Sequence, residues 1–241
     1  MSRNTRWILT AVFAGLLFLL ARFPASVPAR LLPSSIALAG VEGSIWKGGA
    51  TALGINGLVA QEKISWRFEP LAIFKGQIAW QLHSEHAGQP GQLRAVLGLR
   101  GAALEGIHLI LPLEPLTQFD PVMTAVRLRG EALLESTRIA RHEPIEISGN
   151  LQRIGSAMAG ELTSVGSYHF TASASAQGAG TLAVTTLNGP LQIQGGGSFD
   201  AATKKAKFSL RLKPETDLPG LSPILATLPR DGDSYLLNYP R

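Results

Sequence analysis

Lys207-Phe208-Ser209-Leu210-Arg211-Leu212-Lys213 decides the fold. Three apolar side chains alternate with four polar ones. An extended chain sends successive side chains to opposite faces, so this segment is a strand with one buried and one wet face. The same period of two recurs on either side of it. Ile64-Ser65-Trp66-Arg67-Phe68 alternates, and Ile78-Ala79-Trp80-Gln81-Leu82 nearly does. Shorter runs stand at Ala95/Leu97/Leu99, Ile107/Leu109/Leu111, Val126/Leu128, Ile145/Ile147, Tyr168/Phe170, Leu182/Val184 and Leu191/Ile193. Glycine-bearing gaps separate these runs and read as turns and bulges between successive strands. They include His86-Ala87-Gly88-Gln89-Pro90-Gly91, Gly101, Gly130, Gly155, Gly160, Gly178, Gly180 and the triplet Gly195-Gly196-Gly197. No helical rhythm alternates with the strands, which excludes a parallel sheet with crossover helices. The expected class is mainly all-β: an N-terminal transmembrane helix, then a long curved antiparallel β-sheet, with one or two short helices.

Two segments supply those helices. Glu69-Pro70-Leu71-Ala72-Ile73-Phe74 makes one or two turns between two Trp-bearing runs. Leu221, Ile224, Leu225 and Leu228 have helical spacing, and Ser222 before Pro223 reads as an N-cap followed by proline in the first turn. Glycine often opens a run as Gly-x-apolar, as in Gly43-Ser44-Ile45, Gly76-Gln77-Ile78, Gly149-Asn150-Leu151 and Gly180-Thr181-Leu182. Either glycine is simply the turn residue, or the sheet grows by adding similar strands. A soft boundary falls near 136–144, so the body 31–241 has two halves meeting there. Residues 149–197 are rich in small side chains, which suits close packing or a flat exposed face open to strand addition.

Composition narrows the function classes. Of 241 residues, 16% are charged and none is cysteine. Disulfide scaffolds, thiolate metal sites and cysteine nucleophiles are therefore excluded. The net charge is +5, yet Arg3, Arg6 and Arg22 all lie in the first 23 residues, where no acid occurs. The other 218 residues carry 19 bases and 17 acids and no long basic run, which is not a phosphate-tracking surface. No nucleic-acid partner is expected.

Those arginines flank an address. Trp7 to Ala21 is uncharged, and Phe23-Pro24 ends any helix there. The stretch is 15 residues long, between a secretory signal and a full span of ~20. The candidate cut after Ala29 follows Pro28 and precedes Arg30, and Arg22 extends the span by snorkelling. Residues 1–30 thus read as cytoplasmic N-terminus, membrane anchor and linker, with a cleaved signal as the other reading. Both carry the body across the membrane, C-terminal side out.

Chemistry is sparse. His83 and His86 flank Glu85 in what reads as a hairpin loop, with no third metal ligand signalled nearby. His108 falls on the polar side of its strand. Gly195-Gly196-Gly197-Ser198 leads into a strand, and no glycine pair with P-loop spacing is followed by Lys-Ser or Lys-Thr. No catalytic residue, cofactor or metal is expected, and the chain is not read as an enzyme. Trp46, Trp66 and Trp80 are the more informative residues. They read as a cluster of large side chains in the sheet core, or as an aromatic platform for a sugar or lipid.

Three stretches carry a resemblance: Val41-Glu42-Gly43-Ser44-Ile45-Trp46-Lys47-Gly48-Gly49-Ala50, Ile64-Ser65-Trp66-Arg67-Phe68-Glu69-Pro70-Leu71, and Gly76-Gln77-Ile78-Ala79-Trp80. With the N-terminal anchor, the Gly-rich run Leu191 to Phe199 and the Tyr235 to Pro240 close, the chain resembles protein N of the bacterial type II secretion system. The Gly-Ser-Ile-Trp-Lys-Gly element also resembles AsmA-like envelope proteins, which build long curved sheets associated with lipid movement. The first resemblance implies a single-pass inner-membrane accessory subunit with its β-rich body in the periplasm. Its partners would be other secretion subunits, and its role assembly or partner contact. The second implies a lipid- or glycan-binding envelope module. The residues singled out are structural: Trp46, Gly48, Trp66, Pro70 and Trp80.

Overall fold

A computed structural model describes residues 7, 12–15, 18–19, 21–30, 32–117, 128–156, 164–200, 203, 205–216, 218 and 221–239. Fifteen strands form one antiparallel sheet. They are β1 (Ile36–Ala39), β2 (Glu42–Gly43), β3 (Lys47–Ile55), β4 (Leu58–Phe68), β5 (Gln77–His86), β6 (Gln89–Gly98), β7 (Gly101–Pro112) and β8 (Leu128–Ala140), followed by β9 (Ile145–Ser156), β10 (Ser164–Ala174), β11 (Ala179–Asn188), β12 (Leu191–Asp200), β13 (Lys205–Pro214), β14 (Arg230–Asp231) and β15 (Ser234–Tyr239). From β3 to β13 each strand pairs with its successor in sequence. β1 closes one side of this meander against β3, and β15 followed by β14 closes the other. The alternating runs therefore sit in strands, and β13 shows their period directly: Phe208, Leu210 and Leu212 are covered while Lys207, Ser209, Arg211 and Lys213 face solvent.

The apolar stretch expected to span a membrane, 7–21, lies partly outside the described residues. No helix among the described residues is long and apolar enough to cross a membrane.

Turn chemistry sets the hairpins. Asn56 and Gly57 both have positive φ between β3 and β4, as do Ala87 and Gly88 between β5 and β6. Two consecutive positive-φ residues make the tight turn whose twist matches a hairpin. The broad loop expected over residues 86–91 is thus a two-residue turn, with His86 ending β5 and Gln89 opening β6.

Most of the glycines read as gaps are not turns. Gly130, Gly155, Gly180 and Gly195 to Gly197 lie inside β8, β9, β11 and β12. Gly130 marks a bulge, since the β8–β9 register shifts between Arg129 and Glu131 and its φ is +139°. Others lie beneath an aromatic ring. Gly48 pairs with Trp66, Gly149 with Phe170, Gly180 with Phe199, and Gly197 with Phe208. In each pair the ring lies over the glycine, so an added Cβ would come within 2.5–2.9 Å of it. The ring covers backbone that glycine leaves bare, and the glycine gives the ring room to lie flat.

The sheet curls near β4 to β7. Gln61 on β4 is buried and donates its side-chain amide to the Ile110 carbonyl on β7. Strands about 4.8 Å apart would hold β4 and β7 ~14 Å apart in a flat sheet, so this end must bend. Register shifts within β4 and β6 supply the flexure.

The larger apolar clusters lie at β8 and the strands after it. Leu218, Leu221, Leu225 and Leu228, around the short helix Ser222–Leu225, cover Leu191, Leu212, Ile193, Tyr235 and Leu237. The expected helical spacing is present. Ser222 is not the expected N-cap but the first helical residue, because its hydroxyl donates back to the Leu218 carbonyl. A second cluster of Leu113, Ala132, Ile154 and Tyr168 adjoins the first through Val165 and Ile193. Among the described residues the early strands form the small cluster Ala72, Ala79 and Val96, with Ala50, Ala60, Ala103, Ile107 and Ile110 buried outside it.

Candidate functional site

The incoming chain meets the sheet beside Ser44 and Ile45. Pro24 bridges to Ser44, Ala25 donates to the Gly43 carbonyl at 3.2 Å, and Ile45 donates to the Phe23 carbonyl at 3.0 Å. Two indoles grip the same short segment from neighbouring strands. Trp66 Nε1 on β4 donates to the Ser44 carbonyl at 2.9 Å, and Trp80 Nε1 on β5 donates to the Ile45 carbonyl at 2.8 Å. Ser44 Oγ accepts the backbone N–H groups of Trp46 and Lys47, both at 3.3 Å, which tightens the turn into β3.

The rings pack on one another. Trp46 meets Phe68 edge-on with centroids 4.8 Å apart, and Phe68 lies 6.0 Å from Trp80. Trp66 lies over Gly48. Trp46, Trp66 and Trp80 are each half-buried. The structure thus brings Trp46, Gly48, Trp66 and Trp80 together. Pro70, the fifth residue singled out, opens the 3-10 turn Pro70–Lys75 that joins β4 to β5. Its fixed φ suits a first helical position, and Gly76 at φ +69° ends the turn.

That turn puts its apolar residues in solvent. Ala72 faces inward, but Leu71, Ile73 and Phe74 are 76%, 58% and 89% exposed. Leu99, in the β6–β7 turn at the same end of the sheet, is fully exposed. Ile78 and Leu97 pair across β5 and β6 just inside this rim and are both exposed. A shallow apolar trough of about 450 Å³ adjoins them, lined by Trp80, Ala95, Leu97, Leu104, Ile139 and Ile145. Each of three successive turns here carries one exposed base: Lys75, Arg100 and Arg141. Sequence reasoning assigned the 3-10 turn correctly but missed its exposure. A short apolar segment reads as buried unless the neighbouring strands are placed.

It also missed a charge ladder. Arg94 on β6 bonds Glu69 at 2.9 Å and Glu105 on β7 at 2.6 Å. Arg138 on β8 bonds Glu105 and reaches Glu143 at 2.8 Å. Partial burial opposes the Arg94 charge, but its two carboxylate partners outweigh that and raise its pKa. The hydrogen bond from Arg138 holds the Glu143 carboxyl below the usual carboxylate range. These charges face one another across rungs, so the ladder locks register and has no vacant reactive group.

The remaining candidates stay apart. His83 and His86 lie three residues apart on β5, which sends their side chains to opposite faces. His108 pairs with Glu135 at 3.2 Å on an exposed rung. Among the described residues no three His, Cys, Asp or Glu side chains group to hold a metal.

No curated protein and no solved structure matches the chain. The family model for protein N of the type II secretion system matches residues 34–236, from the start of the sheet into its last strand. The chain belongs to the type II secretion system protein N family.

Proposed function

We propose that this chain is an inner-membrane-anchored accessory component of the type II protein secretion machinery, acting in assembly or partner contact on the periplasmic side. The observation that carries the reading is the span of the family match, which takes in the tryptophan cluster, the ladder and nearly every strand. A role spread over a whole sheet suits a protein that works by contact. The apolar segment Trp7 to Ala21 supports the anchor, and Trp7, Val12, Phe13, Phe18 and Leu19 are exposed apolar residues. The body 31–241 then lies beyond the membrane, and β1 and β14 at the two ends of the sheet leave edges for strand addition. Photo-crosslinking residues placed at Ala37 on β1 and Asn238 on β15 test it in the living cell. Adducts with other subunits of the machine are expected. Adducts confined to envelope proteins outside the machine would overturn the reading.

A second reading, a lipid-binding envelope module, is favoured by the apolar trough beside Trp80. It predicts phospholipid retained in native mass spectra of the detergent-extracted chain, lost when Leu97 and Ile139 become charged.

A further inference from the structure

The end of the sheet where the N-terminal segment enters is also the end that bares apolar side chains. Phe23 and Ile45 mark the entry, fixed by the Trp66 and Trp80 indoles on β4 and β5. The 3-10 turn that joins those two strands carries Leu71, Ile73 and Phe74 outward, and Leu99 stands out from the next turn along. Large apolar groups this exposed cost free energy in water, about 25 cal/mol per Å² of apolar surface. The bases Lys75, Arg100 and Arg141 are spaced along the same rim. Two acids beside the rim are already engaged, Glu69 by Arg94 and Glu143 by Arg138, although Glu143 also attracts Arg100. Apolar tips flanked by bases are the chemistry of a surface that seats in an anionic lipid interface.

From this we infer that the rim formed by the Pro70–Lys75 turn, Leu99, Lys75, Arg100 and Arg141 is a second membrane contact, docking the sheet end-on against the bilayer that holds the N-terminal segment. The occupant is the lipid interface itself. Continuity decides this over a protein partner, because a segment anchored through Trp7 to Ala21 and clamped at Phe23 leaves this rim at the bilayer surface. Phe74, Leu71, Ile73 and Leu99 enter the headgroup and acyl boundary, and the three bases meet lipid phosphates. The rim contact rests on the anchored reading above and adds to it an orientation for the body.

The absence of cysteine makes the test clean. Single cysteines replace Leu19, Phe74, Leu99 or Gln89 in the full chain, and each is labelled with an environment-sensitive fluorophore. All four positions are exposed, and circular dichroism confirms that each variant is folded. The chains are reconstituted in vesicles of phosphatidylethanolamine and phosphatidylglycerol, with and without nitroxide-bearing lipid. Blue-shifted emission and quenching at 19, 74 and 99 are expected, with no quenching at 89 beside the far turn. Charge reversal of Lys75, Arg100 and Arg141 together should reduce quenching at 74 and leave 19 unchanged. Quenching at 19 with 74 and 99 behaving like 89 would overturn the rim contact and leave the anchor standing. No quenching at 19 would overturn the anchored reading, and the rim contact with it.

Discussion

The two halves of the sheet are held by different means. From β9 onward, glycines lie under Phe170, Phe199 and Phe208, and a leucine-rich segment covers one face. From β3 to β7, the apolar cluster is small, and indole-to-backbone hydrogen bonds and an ion ladder that runs on to β8 add order. Hydrophobic burial is non-directional and strong, whereas surface ion pairs contribute little free energy but fix register. The leucine and aromatic clusters of the later strands are therefore expected to outweigh the ladder in stability. The earlier half supplies geometry, and it is the half that receives the N-terminal segment.

Substitutions can break this contrast in order of size. Leu212→Ala removes a buried side chain beneath the leucine cover and should lower the unfolding free energy by about 3 kcal/mol in denaturant titrations. Trp66→Ala uncovers Gly48 and frees the Ser44 carbonyl. Its half-buried ring puts the loss at the lower end for an aromatic truncation, about 2–3 kcal/mol. Hydrogen exchange should show protection lost first in β3 to β5, and an unchanged melting temperature would refute the clamp. Tyr168→Phe removes a buried hydroxyl shared between the Val165 and Leu191 carbonyls, at about 1 kcal/mol. Burial pushes the Tyr168 hydroxyl up to about 12, above its value in an unfolded chain. Its contribution is thus complete below pH 10, the ordinary tyrosine value, and is lost as pH rises toward 12. The melting temperature of the unmodified chain should fall more steeply over that window than that of Tyr168→Phe. Arg138→Gln, which severs the ladder, should give the smallest shift, and one that shrinks further in high salt. Glu143 has a lowered pKa in the folded state, so its part is present above pH 4.5 and lost on acidification below it. A ladder loss larger than that of Leu212→Ala would reverse the contrast.

The sequence made the strands legible, because β13 and its fellows alternate strictly and one wet face leaves a period of two. The 3-10 turn after Glu69 and the helical spacing of Leu221, Leu225 and Leu228 were legible for similar local reasons. The interior glycines were not. Gly149 and Gly180 look like punctuation until Phe170 and Phe199 on neighbouring strands are laid over them. Register decides that pairing, and a single sequence does not carry register. The same holds for Arg94, Glu105 and Arg138, which become a ladder only when β6, β7 and β8 are aligned. Of the candidate site, the tryptophans were visible by spacing and chemistry. Their shared grip on Ser44 and Ile45, and the exposure of Phe74 and Leu99, needed three dimensions.

The central claim is that this sheet serves secretion by contact. Deleting the gene and measuring export of a type II substrate tests that claim most directly, with the intact chain and Trp66→Ala supplied in return. Export should fall on deletion, recover with the intact chain, and recover poorly with Trp66→Ala at matched protein level. Export unchanged by the deletion would contradict the claim.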